Sequence, residues 1–109
     1  MIGRVQTKKT PSYPLMEIKA LFNCIENLEI TGTALQGARK VGLTTAVIVT
    51  VIQTIEREHF HKSMTTYADH TVWQDVYYVP YGELMLYVKF QQGVVQEFMV
   101  VSFKSKEEE

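Results

Sequence analysis

The chain lacks the cysteines that a disulfide-stabilised domain needs. Cys24 is its single cysteine among 109 residues, so no disulfide can form within the chain. Small secreted domains usually depend on several disulfides, whereas a lone thiol fits a reducing compartment. The N-terminal region is polar and shows no cleavable signal sequence. These absences predict a cytoplasmic protein.

Long hydrophobic runs are also missing. The longest aliphatic run, residues 46–52, is far shorter than the roughly 18 apolar residues that cross a membrane, which argues against a membrane partner. A hydrophobic content of 46% in 109 residues suffices for one modest core without a metal or a disulfide. We therefore expect a single domain over residues 1–109, with a loose arm at residues 1–10 and a solvated acidic tail at residues 105–109.

The chain has no excess of positive charge, although nucleic-acid-binding proteins are usually basic. It carries 11 Lys and Arg against 12 Asp and Glu, a net charge of −1. Without Glu107, Glu108 and Glu109, 9 acidic residues would remain and the net charge would be +2. Any phosphate binding must therefore come from a few converging side chains, and we expect weak affinity for free nucleic acid.

Helical patterns dominate the first half of the chain. Apolar side chains recur at helical spacing after Pro14, a capping box begins at Thr33, and Thr44 can cap another helix. The last of these segments is rich in β-branched residues, but it runs on too long for a typical strand. We therefore predict a short edge strand at residues 28–31 and helices at residues 15–25, 34–41 and 46–57.

Strand patterns dominate the second half. Runs rich in Val, Tyr and Phe are separated by turn sequences at residues 80–83 and 92–93, which predicts an antiparallel meander. Helices followed by a cluster of strands, without strict βαβ alternation, indicate an α+β fold in which helices pack on a twisted, mainly antiparallel sheet. The predicted strands are residues 73–79, 84–91 and 94–103.

The turn lengths predict which side chains share a face of the sheet. A four-residue first turn places Gln74 opposite Lys89, so that Gln74, Tyr87 and Lys89 project from one face. A two-residue second turn then puts Lys104 on the same face, about 20 Å along the strand from Tyr87 unless a bulge shortens the distance.

Residues 61–77, HKSMTTYADHTVWQDVY, combine cations, hydroxyls, carboxylates and aromatics without a helical or a strand period, which favours a polar loop. This stretch resembles the signature of the MqsR family of toxins, small bacterial ribonucleases known as mRNA interferases, in which KSMTTY, DHT and WQDVY recur. The similarity is dense over residues 60–77. It returns at Tyr87-Val88-Lys89 and at Ser102-Phe103-Lys104.

The resemblance implies a RelE-like fold and metal-independent, sequence-selective cleavage of single-stranded mRNA without a cofactor. It also implies inhibition of growth within a type II toxin-antitoxin system, with a cognate antitoxin that in this family binds zinc and has a DNA-binding domain. The active-site set put forward for the family falls on Lys62, Gln74, Tyr87 and Lys104. His61 departs from the tyrosine that is familiar at its position, and could add a general base.

Ribonuclease chemistry without a metal needs a group that helps deprotonate the ribose 2′-hydroxyl, a group that neutralises the charge at phosphorus, and a proton donor for the 5′-oxygen. Lysine and tyrosine can supply the last two functions, and glutamine can position phosphate or base. We therefore expect Tyr87 to be the proton donor or a phosphate contact, Lys62 and Lys104 to stabilise charge, and Gln74 to position substrate. Further substrate contacts are predicted at His61, Lys89, Thr65 and Thr66.

Two other functions are compatible with the sequence. His59, His61, His70 and Asp69 could ligate a metal in a hydrolase, although their spacing matches no known ligand motif. The strands could instead dock a partner in a protein- or RNA-binding module without catalysis. Asp69 and Asp75 are expected to brace loops and not to act on substrate.

Overall fold

A computed structural model describes residues 4–109, which fold into helices followed by an antiparallel sheet. This confirms the predicted α+β class, while the RelE-like arrangement stays a prediction. Within these residues the sheet has the strand order β1-β2-β3-β4-β5, so neighbours in the sheet are neighbours in the chain. The elements are β1 (Thr7–Lys8), α1 (Leu15–Leu21), α2 (Gly32–Lys40), α3 (Thr45–Thr54), β2 (Phe60–Thr65), β3 (Trp73–Tyr81), β4 (Leu84–Gln92) and β5 (Phe98–Ser105).

Threonine caps set the starts of α2 and α3. The hydroxyls of Thr31 and Thr44 accept hydrogen bonds from the backbone N–H three residues later, at 3.1 and 3.3 Å. The capping box predicted at Thr33 is wrong, since Thr31 caps α2 two residues earlier. Gly42, with φ of +78°, follows the end of α2 as predicted, because glycine tolerates this left-handed conformation.

Other helix limits differ from prediction. α1 stops at Leu21 and a separate 3-10 turn, Ile25–Asn27, follows it, while α3 stops at Thr54. The predicted edge strand at residues 28–31 is reduced to one isolated bridge between Ile30 and Val100. No single helix in residues 4–109 has the length and apolar composition for crossing a membrane, although α2 and α3, bent by 91°, pass that test together.

Both ends of the described chain are more ordered than predicted. Thr7–Lys8, within the predicted loose arm, pairs with β2 as strand β1. Residues 1–3 of that arm lie outside the described residues. In the acidic tail, Lys106–Glu108 form a 3-10 turn, and the Ser105 hydroxyl accepts a hydrogen bond from Glu107 N at 3.3 Å.

Strand β2 falls within the segment predicted to be a polar loop. After Phe60, which packs against the core, its inward-facing side chains are polar and satisfied by the N-terminal segment: Ser63 Oγ lies 2.8 Å from Ser12 Oγ, and Thr65 Oγ1 accepts from Gln6 N at 2.8 Å. Next to them, the buried Asp75 carboxylate accepts from the backbone N–H groups of residues 12 and 13 at 2.9–3.0 Å. Asp75 therefore braces the structure, as predicted, by fixing the N-terminal segment on the sheet.

The hydrophobic core lies between the helices and the inner face of the sheet. Alternate residues of β3 and β4 point into it, as the two-residue period of a strand requires. α2 packs along β5, and at Gly37 the backbones come so close that a Cβ would collide with the Phe103 carbonyl oxygen. Core side chains include Ile18, Ala34, Ala38, Ile48, Ile52, Tyr77, Val79, Val88, Phe90 and Phe103.

The close approach at Gly37 predicts that a larger side chain at this position destabilises the fold. Gly37→Ala should lower the free energy of unfolding by about 1–3 kcal/mol, because β5 or α2 must move to admit the methyl group. Gly32→Ala is the matched control, since a Cβ there meets nothing within 4 Å. Urea denaturation measures both variants, and equal stability of the two would contradict the packing described here.

Candidate functional site

The face of the sheet opposite the core, here called the open face, carries polar side chains in parallel rows. Because strand partners lie side by side on the same face, each row crosses several strands. One row runs from Tyr78 to Tyr87 to Lys104, and the next contains Lys62, Val76, Lys89 and Ser102. A further row contains Met64, Gln74, Gln91 and Met99.

A β-bulge brings two consecutive residues of β2 to the open face. The register shifts between Phe60 and Lys62, so His61 is the extra residue and Lys62 lies opposite Val76. The His61 ring stacks on Tyr78 with 4.3 Å between ring centres. His61 therefore joins the row of Tyr78 and Tyr87, whose ring centres are 6.1 Å apart.

The register of β3 and β4 differs from the predicted one by two residues. The turn contains two residues, Gly82 and Glu83, and Gln74 lies opposite Gln91, not Lys89. Gly82 has φ of +58° at the first turn position, where two-residue hairpins favour glycine. Since a shift of two preserves the face, the prediction that Gln74, Tyr87 and Lys89 share one face is confirmed.

Lys104 lies directly opposite Tyr87, so the predicted distance of about 20 Å is wrong. The turn between β4 and β5 is longer than predicted, residues 93–97, and β5 has a bulge opposite residues 89 and 90. The Glu29 carboxylate fixes this turn by accepting N–H bonds from residues 94, 95 and 96 at 2.9–3.3 Å. Together the longer turn and the bulge change the register of β5 so that Lys104 lies opposite Tyr87.

Two lysine side chains lie over Tyr87, and Lys62 lies in the neighbouring row with Lys89. The ammonium groups of Lys104 and Lys89 lie 5.2 and 5.6 Å from the centre of its ring, which is only 7% exposed. Burial of Lys89 lowers its pKa, and the charges of Lys104 and Lys62 lower it further. The cluster of like charges is therefore suited to binding an anion, although the chain as a whole carries a net charge of −1.

Burial and neighbouring charges shift the pKa values of two aromatic side chains of the site, Tyr87 and His61. Burial, and then the charge of Glu109, raise the pKa of Tyr87, so its phenol stays protonated at neutral pH. Burial, followed by the charges of Lys62 and Lys9, lowers the pKa of His61 below its ordinary value of 6.5. The site thus holds a proton donor and a neutral imidazole at once.

Gln74 lies apart from this cluster. It is four residues along β3 from Tyr78, about 13 Å at the usual strand rise. Its Nε2 donates a 2.8 Å hydrogen bond to Gln91 Oε1 across the strands. The amide pair forms a separate polar patch on the same open face, suited to a neighbouring nucleotide.

The structure does not bring Thr65 and Thr66 into the cluster. Thr65 is fully buried on the inner side, where its hydroxyl binds Gln6 N. Thr66 follows the end of β2, and its hydroxyl exchanges hydrogen bonds of 2.9 Å with the backbone of Asp69. Both predicted substrate contacts are therefore used for structure, because their hydroxyls hold the N-terminal segment and the loop after β2.

The residues that the alternative metal site would need are not gathered either. In the part of the chain that the structure describes, no group of three or more His, Cys, Asp or Glu side chains could hold a metal ion. His59 Nδ1 instead accepts a hydrogen bond from Glu56 N at 2.9 Å. Asp69 accepts from the N–H and hydroxyl of Thr71 at 2.8 and 2.6 Å, which confirms its predicted loop-bracing role.

Sequence reasoning missed three residues at this site: Tyr78, Lys106 and Glu109. The position of Tyr78, two residues after Val76 and four after Gln74, is the signal that could have placed it on the same face. Lys106 and Glu109 follow the last strand, in a tail expected to be solvated. No sequence period could have shown that this tail turns back to the sheet.

Comparison with known proteins gives matches over most of the chain. A family model described as "Motility quorum-sensing regulator, toxin of MqsA" matches residues 10–105 of the chain. A curated relative from Escherichia coli (strain K12), the mRNA interferase toxin MqsR, is 38% identical over 99 residues. This alignment covers 91% of the chain and 98% of the relative.

The lysine cluster predicts a coupled titration. Lys104→Met should raise the pKa of Lys89, because removing a neighbouring positive charge favours the protonated amine. Lys8→Met is the control, since Lys8 stacks on Trp73 and is not among the charges that act on Lys89. Carbon-detected NMR of the lysine Cε resonances follows both titrations, and an unchanged Lys89 in the Lys104 variant would show that the amines are not coupled.

Proposed function

Because the chain belongs to the MqsR toxin family, we propose that it is an mRNA interferase, a metal-independent and sequence-selective endoribonuclease that inhibits translation and growth. The supporting observation is a cluster on the open face in which Lys89 and Lys104 lie over the Tyr87 ring and the charge of Lys62 acts on Lys89. Such a cluster can bind phosphate and stabilise the negative charge that builds up when the phosphodiester is attacked.

The proposed reaction is an attack of the ribose 2′-hydroxyl on the neighbouring phosphorus. The new O–P bond forms a cyclic phosphate as the bond to the 5′-oxygen breaks, and the leaving oxygen takes a proton. Tyr87 is the proton donor, since its raised pKa keeps the phenol protonated. The ammonium groups of Lys62 and Lys104 contact the non-bridging oxygens, and Lys89 adds to the positive charge between them.

His61 is the proposed base for the 2′-hydroxyl. Its lowered pKa leaves the imidazole neutral near pH 7, and its ring is held in place by stacking on Tyr78 at 4.3 Å. Gln74, paired with Gln91, is placed to bind a neighbouring nucleotide and so contributes to positioning and sequence selection. This separates the bond-breaking residues from the residues that select the sequence.

The family description, toxin of MqsA, supports an antitoxin partner for this chain as well. We propose a type II system in which the antitoxin is a zinc-binding protein with a DNA-binding domain. Acting on mRNA, the toxin would work in the cytoplasm.

Removal of the Tyr87 phenol tests the proposed acid. Tyr87→Phe should lower the cleavage rate of a defined transcript by about 100- to 1,000-fold, because the ring stays but the proton donor is lost. Primer extension maps the cut sites, and wild-type cleavage should persist with excess EDTA. Tyr67→Phe is the matched control, because Tyr67 is 83% exposed in a loop outside the cluster. Cleavage by folded Tyr87→Phe at the wild-type rate would refute this role.

The pH dependence tests His61. The cleavage rate should rise as His61 loses its proton, at a pH below its ordinary 6.5, and fall at alkaline pH, where Lys89 loses its charge and Tyr87 ionises. His61→Asn should lower the plateau by about 100-fold and remove the acidic limb, because asparagine does not titrate. An acidic limb that survives in the variant would assign the base to another group.

A further inference from the structure

The segment that follows β5 folds back over the open face. After the 3-10 turn at Lys106–Glu108, the Glu109 carboxylate accepts hydrogen bonds from the Tyr78 hydroxyl at 3.0 and 3.1 Å. The Lys106 ammonium lies 4.9 Å from the centre of the same tyrosine ring. A carboxylate is therefore bound to the middle member of the row formed by His61, Tyr78 and Tyr87.

The negative charge of Glu109 acts on the whole site. After burial, it is the second cause that raises the pKa of Tyr87, and it opposes the lowering of the pKa values of Lys89 and His61. The turn is also held on its other side, because Glu108 forms a 2.7 Å salt bridge with Lys40 at the end of α2. The acidic segment thus bridges α2 and the centre of the open face.

A carboxylate and a phosphate diester compete for the same donors. Both present negatively charged acceptor oxygens, and tyrosine hydroxyls and lysine ammonium groups bind either of them. The place that the Glu109 carboxylate occupies is therefore chemically suited to a phosphate of a bound RNA strand. The residues after 105 lie beyond the part of the chain that the family model matches, so this carboxylate is an addition to the matched domain.

We propose that the Tyr78 hydroxyl and the Lys106 ammonium form a second phosphate subsite, for a nucleotide next to the one that is cut, and that the side chain of Glu109 occupies this subsite until RNA displaces it. This inference rests on the proposed function, because the ligand is the same RNA strand. The occupied subsite makes the acidic segment a built-in competitor of the substrate.

Competition from the Glu109 carboxylate weakens RNA binding to the subsite but does not abolish it. An exposed ion pair such as Lys40 with Glu108 changes an equilibrium by less than about fivefold. An RNA strand that contacts several cations gains more than this at moderate salt. The segment should therefore reduce affinity for RNA by a few fold and leave the chemistry at Tyr87 unchanged.

Binding of a 2′-O-methyl RNA oligonucleotide tests the proposal without cleavage, because the attacking hydroxyl is blocked. Fluorescence anisotropy at fixed salt should show that Glu108→Gln with Glu109→Gln lowers the Kd by about three- to tenfold. Glu17→Gln with Glu26→Gln is the matched control for the loss of two negative charges, since both residues are exposed, in α1 and on the 3-10 turn after it. It should leave the Kd within about twofold of wild type, given screening of distant charges.

A double-mutant cycle separates the subsite from general charge. In the wild-type background Tyr78→Phe should change the Kd little, because RNA and Glu109 both lose the same donor. In the Glu109→Ala background, which has no side-chain acceptor, Tyr78→Phe should raise the Kd by about tenfold, since only RNA then loses the hydrogen bond. Denaturation curves recorded for each variant confirm that the compared proteins are folded.

The outcomes distinguish this proposal from the proposed function. If all variants bind the oligonucleotide with the wild-type Kd while unmodified RNA is still cut, the subsite is refuted and the ribonuclease assignment stands. A Kd unchanged by the glutamate substitutions, together with a lower free energy of unfolding, would make the segment a structural clamp and also overturn the proposal. If folded wild-type protein neither binds nor cuts RNA, both proposals fail.

Discussion

The position of Lys104 opposite Tyr87 depends on how the Glu29 carboxylate holds the turn before β5. Three backbone N–H groups of residues 94–96 bind this one side chain, which fixes the length of the turn and therefore the register of the last strand. Because a strand advances about 3.3 Å per residue, a two-residue slip would carry Lys104 away from the other amines. The charge cluster thus depends on a carboxylate in the segment beside β5, together with the bulge in that strand.

The sequence predicts the fold class and most elements because their signals are local. Thr44 as a cap, Gly42 as a helix end and the face shared by Gln74, Tyr87 and Lys89 follow from short-range rules, and the structure confirms them. Strand β2 escaped prediction because two of its inward side chains, Ser63 and Thr65, are polar. They are buried only because the N-terminal segment satisfies their hydroxyls.

The difference between local signals and long-range contacts also explains which features of the site the sequence did not predict. A bulge at His61 breaks the two-residue period, so no pattern shows that His61 and Lys62 share a face. Thr65 and Thr66 belong to the most recognisable stretch of the sequence, yet their hydroxyls are used in structural hydrogen bonds. Membership of a signature therefore does not distinguish residues that contact substrate from residues that shape the loop.

The crowding of Lys62, Lys89 and Lys104 has a consequence for the whole molecule. Like charges held together by a rigid sheet repel one another, and the folded state without an anion bears that cost. Any polyanion that fills the open face relieves the repulsion and binds the folded chain in preference to the unfolded one, so it raises the melting temperature. Binding of a polyanion therefore protects the folded chain, and the protein without a bound polyanion is the form most susceptible to unfolding and to proteases.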